Sequence, residues 1–206
     1  MSDTEEYLHK AYGFEDTAKT ESFYDDWAKS YDAEIAKNGY VTPGRCVDAL
    51  LQLDPARSGP VIDLGCGTGL AGLALRKAGF EPVDGVDFSE GMLAIARTHN
   101  VYRDLWQGDL AQPVETPHGL YAHAVAAGVI SPGHAPCQAV FSALDTIRPG
   151  GVLVFSLNDH ALADRAYTAA VNEAVDGGAA ELVFKEHGEH LPGTGLMATV
   201  FALRKR

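Results

Sequence analysis

The chain has 206 residues, 46% of them hydrophobic, an ordinary globular composition in a length that suits one domain. Its formal charge of −12 disfavours a nucleic-acid partner, because the only dense basic run, Arg204-Lys205-Arg206, reads as a solvated tail. The longest apolar run, 119–130, is too short to span a bilayer, and three cysteines (Cys46, Cys66, Cys137) lack disulfide or metal-ligand spacing.

The start of the chain is acidic and polar, unlike a signal peptide, which sets the expectation of a cytoplasmic protein. Residues 1–20 read as a charged tail. Phe23, Trp27, Tyr31 and Ile35 recur at helical spacing, as do Cys46, Val47, Leu50 and Leu51. Strand signals at 60–64, 81–86, 101–106, 121–127 and 151–156 then alternate with helical ones near 69–79, 90–98, 136–147 and 160–176. Such alternation predicts right-handed βαβ units and a parallel sheet. Two final strand-like runs, 181–187 and 196–204, flank Leu191-Pro192-Gly193-Thr194-Gly195 and predict a hairpin at the sheet edge. The whole is expected to be one domain, with a tail and first helix over 1–40 and an α/β core over 41–206.

Val61-Ile62-Asp63-Leu64-Gly65-Cys66-Gly67-Thr68-Gly69-Leu70 carries the most chemistry. A β-branched strand ends in an acid, breaks into three alternate glycines and resumes as a helix. Glycines there let the backbone adopt positive φ and let a ligand approach the main chain, while the helix N-terminus offers unpaired N–H groups. The spacing is G-x-G-x-G, not the G-x-G-x-x-G of dinucleotide folds. Asp63 would repel a pyrophosphate, but could engage a ligand's amino group directly or through water. A second acid, Asp87, ends the next strand-like run about 20 residues later, where a carboxylate is placed to accept from a ribose diol.

This D-x-G-x-G-x-G arrangement resembles motif I of the Rossmann-like (class I) S-adenosylmethionine-dependent methyltransferases. The resemblance continues in Phe88-Ser89-Glu90-Gly91-Met92, similar to the family's D-x-S-x-x-M segment, in Asp109-Leu110 after the third strand, and in Ile147-Arg148-Pro149-Gly150-Gly151, similar to its L-R-P-G-G turn. Tyr24-Asp25-Asp26-Trp27-Ala28-Lys29-Ser30-Tyr31-Asp32 resembles the opening of small-molecule methyltransferases, and the overall pattern is similar to the subgroup of the Williams–Beuren syndrome region methyltransferase-like protein.

The resemblance implies a seven-stranded, mostly parallel Rossmann-like sheet with helices on both faces and an antiparallel C-terminal hairpin. It implies S-adenosylmethionine as cofactor, S-adenosylhomocysteine as product, and direct methyl displacement onto a small-molecule acceptor. Asp63, Gly65, Cys66, Gly67 and Gly69 would form the cofactor turn, Asp87 would bind the ribose hydroxyls, and Phe88 and Met92 would pack near the adenine. Asp109 and Leu110 would meet the adenine edge. Tyr31 would lie near the methionine end, with Tyr24 and Trp27 on a lid helix, and Gly128 would give room near the sulfonium.

One departure stands out: where the family commonly has an acid in strand four, this chain reads Tyr121-Ala122-His123-Ala124-Val125. His134, in the loop that follows, is the candidate general base, whereas His123 is expected to be a hydrogen-bonded core residue. Asn158, Asp159 and His160 follow strand five and could touch substrate, although Asn-Asp is also a good helix cap. His187 and His190 fall near the final turn, no metal site is expected, and the oligomeric state is open. A non-catalytic cofactor-binding module and, further off, an NAD(P) oxidoreductase are the competing readings.

Overall fold

The computed structural model describes Ile35 and residues 37–206. The expected lid helix, with Tyr24, Trp27 and Tyr31, lies outside the described residues. Seven strands run as β1 (Val61–Leu64), β2 (Val83–Asp87), β3 (Leu105–Gln107), β4 (Tyr121–Ala126), β5 (Ile147–Asn158), β6 (Ala180–Leu191) and β7 (Leu196–Lys205). They join in one sheet of order β3-β2-β1-β4-β5-β7-β6. The first five are parallel, and β7 enters antiparallel to both β5 and β6. This is the expected α/β sheet with its C-terminal hairpin.

Side-chain alternation along β1 sorts the two faces. Ile62 and Leu64 enter a core shared with α4 (Ala139–Asp145), α5 (Asp159–Ala163) and α6 (Arg165–Asp176). Val61 faces the other way, toward α1 (Thr42–Leu53) and α2 (Leu70–Ala78), where Val47, Leu50 and Leu75 complete a second core. Asp63, two residues on from Val61, points to that second face. The remaining helix, α3 (Glu90–Thr98), packs against β2 and β3.

Three of the differences from the sequence expectation have a clear local reason. The third strand spans only Leu105–Gln107, not 101–106. Tyr102 turns inward instead: its ring lies 2.2 Å from where a Cβ on Gly72 would sit and 2.9 Å from one on Gly85. The helix expected over 160–176 is two helices, because the Asp164 carboxylate caps α6 by accepting from Ala166 N at 2.9 Å. The Arg148–Gly151 turn is a bulge inside β5, since Ile147 already pairs with Tyr121 before His123 pairs with Val152. Among the described residues, no helix is long and apolar enough to cross a membrane.

Candidate active site

Between β1 and β4 the strand order reverses, and such a switch point opens a crevice at the carboxyl ends of the strands. A cavity of about 610 Å³, open to solvent, lies there. The glycine turn forms one wall. Gly65, Gly67 and Gly69 all have positive φ (65°, 54° and 98°), and the amides of Gly65 and Cys66 donate to Val86 O at 2.8 and 3.0 Å. A Cβ on Gly65 would lie 2.4 Å from Val129 Cγ2, whereas one on Gly67 would meet nothing within 4 Å. Gly65 is therefore required by packing, and Gly67 presents bare backbone to the cavity. Gly69, in left-handed conformation, starts α2 without a side-chain cap, and the first residues of that helix, Leu70 and Ala71, line the cavity.

Asp87 locks this turn. One carboxylate oxygen accepts from Gly67 N at 2.8 Å and the other from Ser89 N at 3.0 Å. The carboxylate is buried and lies on the cavity wall. Ser89 caps α3 as expected, its hydroxyl accepting from Met92 N at 3.1 Å, and Phe88 and Met92 line the cavity.

Asp63 lies behind the turn, not on the cavity wall. Its Oδ2 accepts from the Tyr102 hydroxyl at 2.7 Å, and its Oδ1 is buried without a hydrogen-bond partner. Burial pushes this carboxyl up to about 7; the Tyr102 hydroxyl pulls it down and the Asp87 charge adds to the rise. The Cys66 thiol, on the wall, is held well above its ordinary range by burial and by Asp87 and Asp63, so it is not a nucleophile at neutral pH. Asp109 and Leu110 are not on the wall either. Asp109 opens a turn, its Oδ1 accepting from Ala111 N at 2.8 Å, and Leu110 is part of the core.

The adjoining wall follows β4. Gly128, at φ 74°, donates to Ser156 Oγ at 2.8 Å. Its missing side chain leaves a space, but that space is taken: a Cβ there would lie 2.0 Å from the Tyr40 hydroxyl. His134 reaches the cavity from a turn closed by Ala135 N donating to Val129 O at 3.0 Å. Its Nδ1 lies 3.2 Å from Pro132 O and 3.0 Å from Ser131 Oγ. A carbonyl can only accept, so Nδ1 carries the proton of the neutral ring and Nε2 the basic lone pair. Burial pushes this imidazole down to about 4, so it is neutral at physiological pH.

His123 answers the departure in strand four. Its Nδ1 accepts from Val152 N at 3.2 Å, at the register shift, and its Nε2 therefore donates to Asp54 at 3.0 Å. Tyr121 donates to the buried Asp84 at 2.8 Å. The hydrogen bonding an acid would supply there is rebuilt from other residues. Asp84, Asp104 and His118 are close enough to share a cation, but Asp84 already accepts from Arg103, Tyr121 and Asp104 N. Asn158 caps α5 through Ala161 N at 3.0 Å, and Asp159 accepts from Met197 N at 3.2 Å.

Residues 61–151 match the methyltransferase domain family. Human methyltransferase-like protein 27 is 34% identical over 172 residues, 82% of this chain and 69% of that protein. The chain belongs to the Rossmann-like S-adenosylmethionine-dependent methyltransferases. Ribosomal protein L11 methyltransferase from Vibrio vulnificus is 33% identical over 118 residues, but the match spans only 56% of this methyltransferase and 38% of that one. The fold matches that of a TehB-like SAM-dependent methyltransferase from Corynebacterium glutamicum with a TM-score of 0.63 at 21% identity, covering 90% of this chain and 99% of the other. The cofactor of this methyltransferase is S-adenosylmethionine, and three features suit it: the bare Gly67 backbone, the buried Asp87 carboxylate on the wall, and the orphaned Asp63 Oδ1 behind the turn.

One wall residue escaped the sequence reading. Tyr40 sits just before α1 with no motif to mark it. His190, which packs behind it, lies near the final turn as expected, at the end of β6, which runs parallel to β5 and so ends at the cavity side of the sheet. Strand alternation continued past 187 would have been the only signal of its place in the strand.

Proposed function

We propose that this methyltransferase acts on a small-molecule acceptor by direct displacement, leaving S-adenosylhomocysteine. The carrying observation is the single cavity lined together by the glycine turn, Asp87, Gly128 and His134. In this reading Asp87 accepts from the ribose hydroxyls, and Phe88 and Met92 pack on the adenine. Asp109 and Leu110, on the neighbouring strand end, serve its edge. Asp63 answers the amino group, directly or through water, and Gly65, Cys66, Gly67 and Gly69 shape the turn around the methionine end. Tyr31 and the segment 1–40 are assigned the lid, closing over a core of 41–206 in one domain.

When bound, the cofactor supplies a methyl group already activated on a sulfonium. The protein's part is then alignment, which accounts for several kcal/mol of barrier reduction, together with removal of a proton where the nucleophile carries one. His134 Nε2 is the atom assigned to take that proton. A small acceptor is favoured because this chain matches only 38% of the L11 enzyme, and because residues 24–32 resemble the opening of small-molecule methyltransferases. A non-catalytic module loses its main support, since the altered strand four is repaired by His123 and Asp54.

Two measurements test this. Saturating S-adenosylhomocysteine at about 100 times Kd stabilises by ~2.7 kcal/mol, raising the unfolding midpoint by roughly 5–10 °C, with NADH as a silent control. Incubation of the protein and methyl-labelled S-adenosylmethionine with a cell extract, split afterwards by size, should put label in the low-mass fraction. Label confined to protein overturns the acceptor class. His134→Ala should keep S-adenosylhomocysteine affinity while transfer slows about 10²–10⁴-fold, the usual worth of a general base; unchanged transfer removes His134 from the chemistry.

A further inference from the structure

The glycine at the end of β4 and the tyrosine before α1 form a matched pair. Gly128 has no side chain, and the Tyr40 hydroxyl stands 2.0 Å from where a Cβ would be, with Tyr40 Cζ at 3.2 Å and His190 Cε1 at 3.7 Å. The phenol proton is directed at Ala127 O, 3.4 Å away. His190 packs edge-on against the Tyr40 ring, centroids 5.1 Å apart at 74°. His190 is itself fixed, its Nδ1 lying 2.8 Å from Thr42 Oγ1 and its carbonyl accepting from Val41 N at 3.2 Å. The start of α1 and the end of β6 are thus sewn together around this ring. The ring cannot leave the Gly128 pocket without opening that seam.

The same ring lines the cavity, together with His134 and the Gly65–Gly67 turn. We propose that Tyr40 stands at the sulfonium, where its hydroxyl and ring favour the methylated cofactor over its demethylated product and fix the direction from which the acceptor approaches. This rests on the reading above, in which the Gly128 wall is the transfer end. The physical basis is electrostatic. A phenol oxygen carries partial negative charge and the ring face is electron-rich, so both attract a sulfonium and its polarised methyl hydrogens, and neither gains from a neutral thioether. His190 is a positioning residue that acts through Tyr40 by keeping the ring seated over Gly128.

The test is calorimetric titration of the full chain with S-adenosylmethionine and, separately, S-adenosylhomocysteine. Tyr40→Phe removes one oxygen and keeps the ring. Its S-adenosylmethionine Kd should rise about twofold to fivefold, the worth of one weak CH···O contact, with the S-adenosylhomocysteine Kd unchanged. His190→Gln, which keeps a polar partner for Thr42 but removes the propping ring, should shift the ratio of the two constants in the same direction. A purely structural role would weaken both ligands together or neither, and either result in Tyr40→Phe overturns the proposal. If Tyr40→Phe does not fold, the His190→Gln ratio decides alone. A wild-type protein that binds neither ligand removes the cofactor reading and this proposal with it, whereas wild-type binding of both with an unchanged Tyr40→Phe ratio removes only the proposal.

Discussion

Asp87 carries two tasks with one carboxylate. It accepts from Gly67 and Ser89 amides, holding the glycine turn against α3, while sitting on the cavity wall. The sequence showed the acid at the strand end, for which a ribose contact is proposed, but not the clamp, because the clamp depends on how the glycine turn packs beside the end of β2. Replacing Asp87 should therefore have two separable effects. Asp87→Asn keeps one carbonyl acceptor and loses the charge, and should weaken S-adenosylhomocysteine binding roughly 10- to 100-fold, as expected for hydrogen bonds to a charged group. Asp87→Ala should add a stability loss of about 1–3 kcal/mol, because two buried amides lose their acceptor. Titration and chemical denaturation of both variants check this; an Asn variant with wild-type affinity would take the ribose contact away from Asp87. Gly128 illustrates the limit of reading residues singly. Its smallness was legible as room on the transfer face, but what fills the room comes from a residue 88 positions earlier in the 206-residue chain, and no local pattern connects the two.

At the scale of elements, periodicity and punctuation carried most of the fold. The seven strands, their order of appearance and the hairpin follow from alternating β-branched runs and the Pro/Gly loop. Errors gathered where side chains override backbone preference: Tyr102 draws 101–104 out of the third strand to reach Asp63, and Asp164 interrupts a helix whose apolar spacing continues past it. β6 ran further than its charged sequence suggested because β7 pairs with it along its length, taking Glu189 and Leu191 into the ladder. Helix caps were legible where the sequence offered Ser89 and Asn158. Ser89 is the more consequential, since the helix it starts brings Met92 to the cavity. Ser89→Ala should cost about 1 kcal/mol and lower the unfolding midpoint by roughly 2–4 °C, and calorimetry of the unliganded variant checks it. An unchanged midpoint would mean that tertiary packing, not the cap, fixes the start of α3.

Across the whole molecule, buried titratable groups set how stability responds to pH. Asp63, ordinarily near 3.8, is pushed up to about 7 by burial, so between those values the folded chain holds a proton that the unfolded chain lacks. Stability from this group is complete below pH 4 and declines as pH rises to about 7, flattening above. His134 and His190 act in the opposite sense. Burial pushes both from 6.5 down to about 4, so acidification over that range protonates the unfolded chain first and destabilises the fold. The slopes oppose one another between pH 4 and 6.5. Asp63→Asn removes one of them while keeping the side-chain shape, so the variant should gain on the wild type as pH rises from 4 to 7, by at most about 4 kcal/mol, three pH units at 1.36 kcal/mol each. Denaturant unfolding of both proteins at pH 4 and pH 7 measures this gain. S-adenosylhomocysteine should shrink it, because a ligand ammonium beside Asp63 restores the carboxylate at neutral pH and removes the cost of burying it unpaired. A gain that does not grow with pH would show that Asp63 is ionised throughout, with its charge already balanced inside the fold.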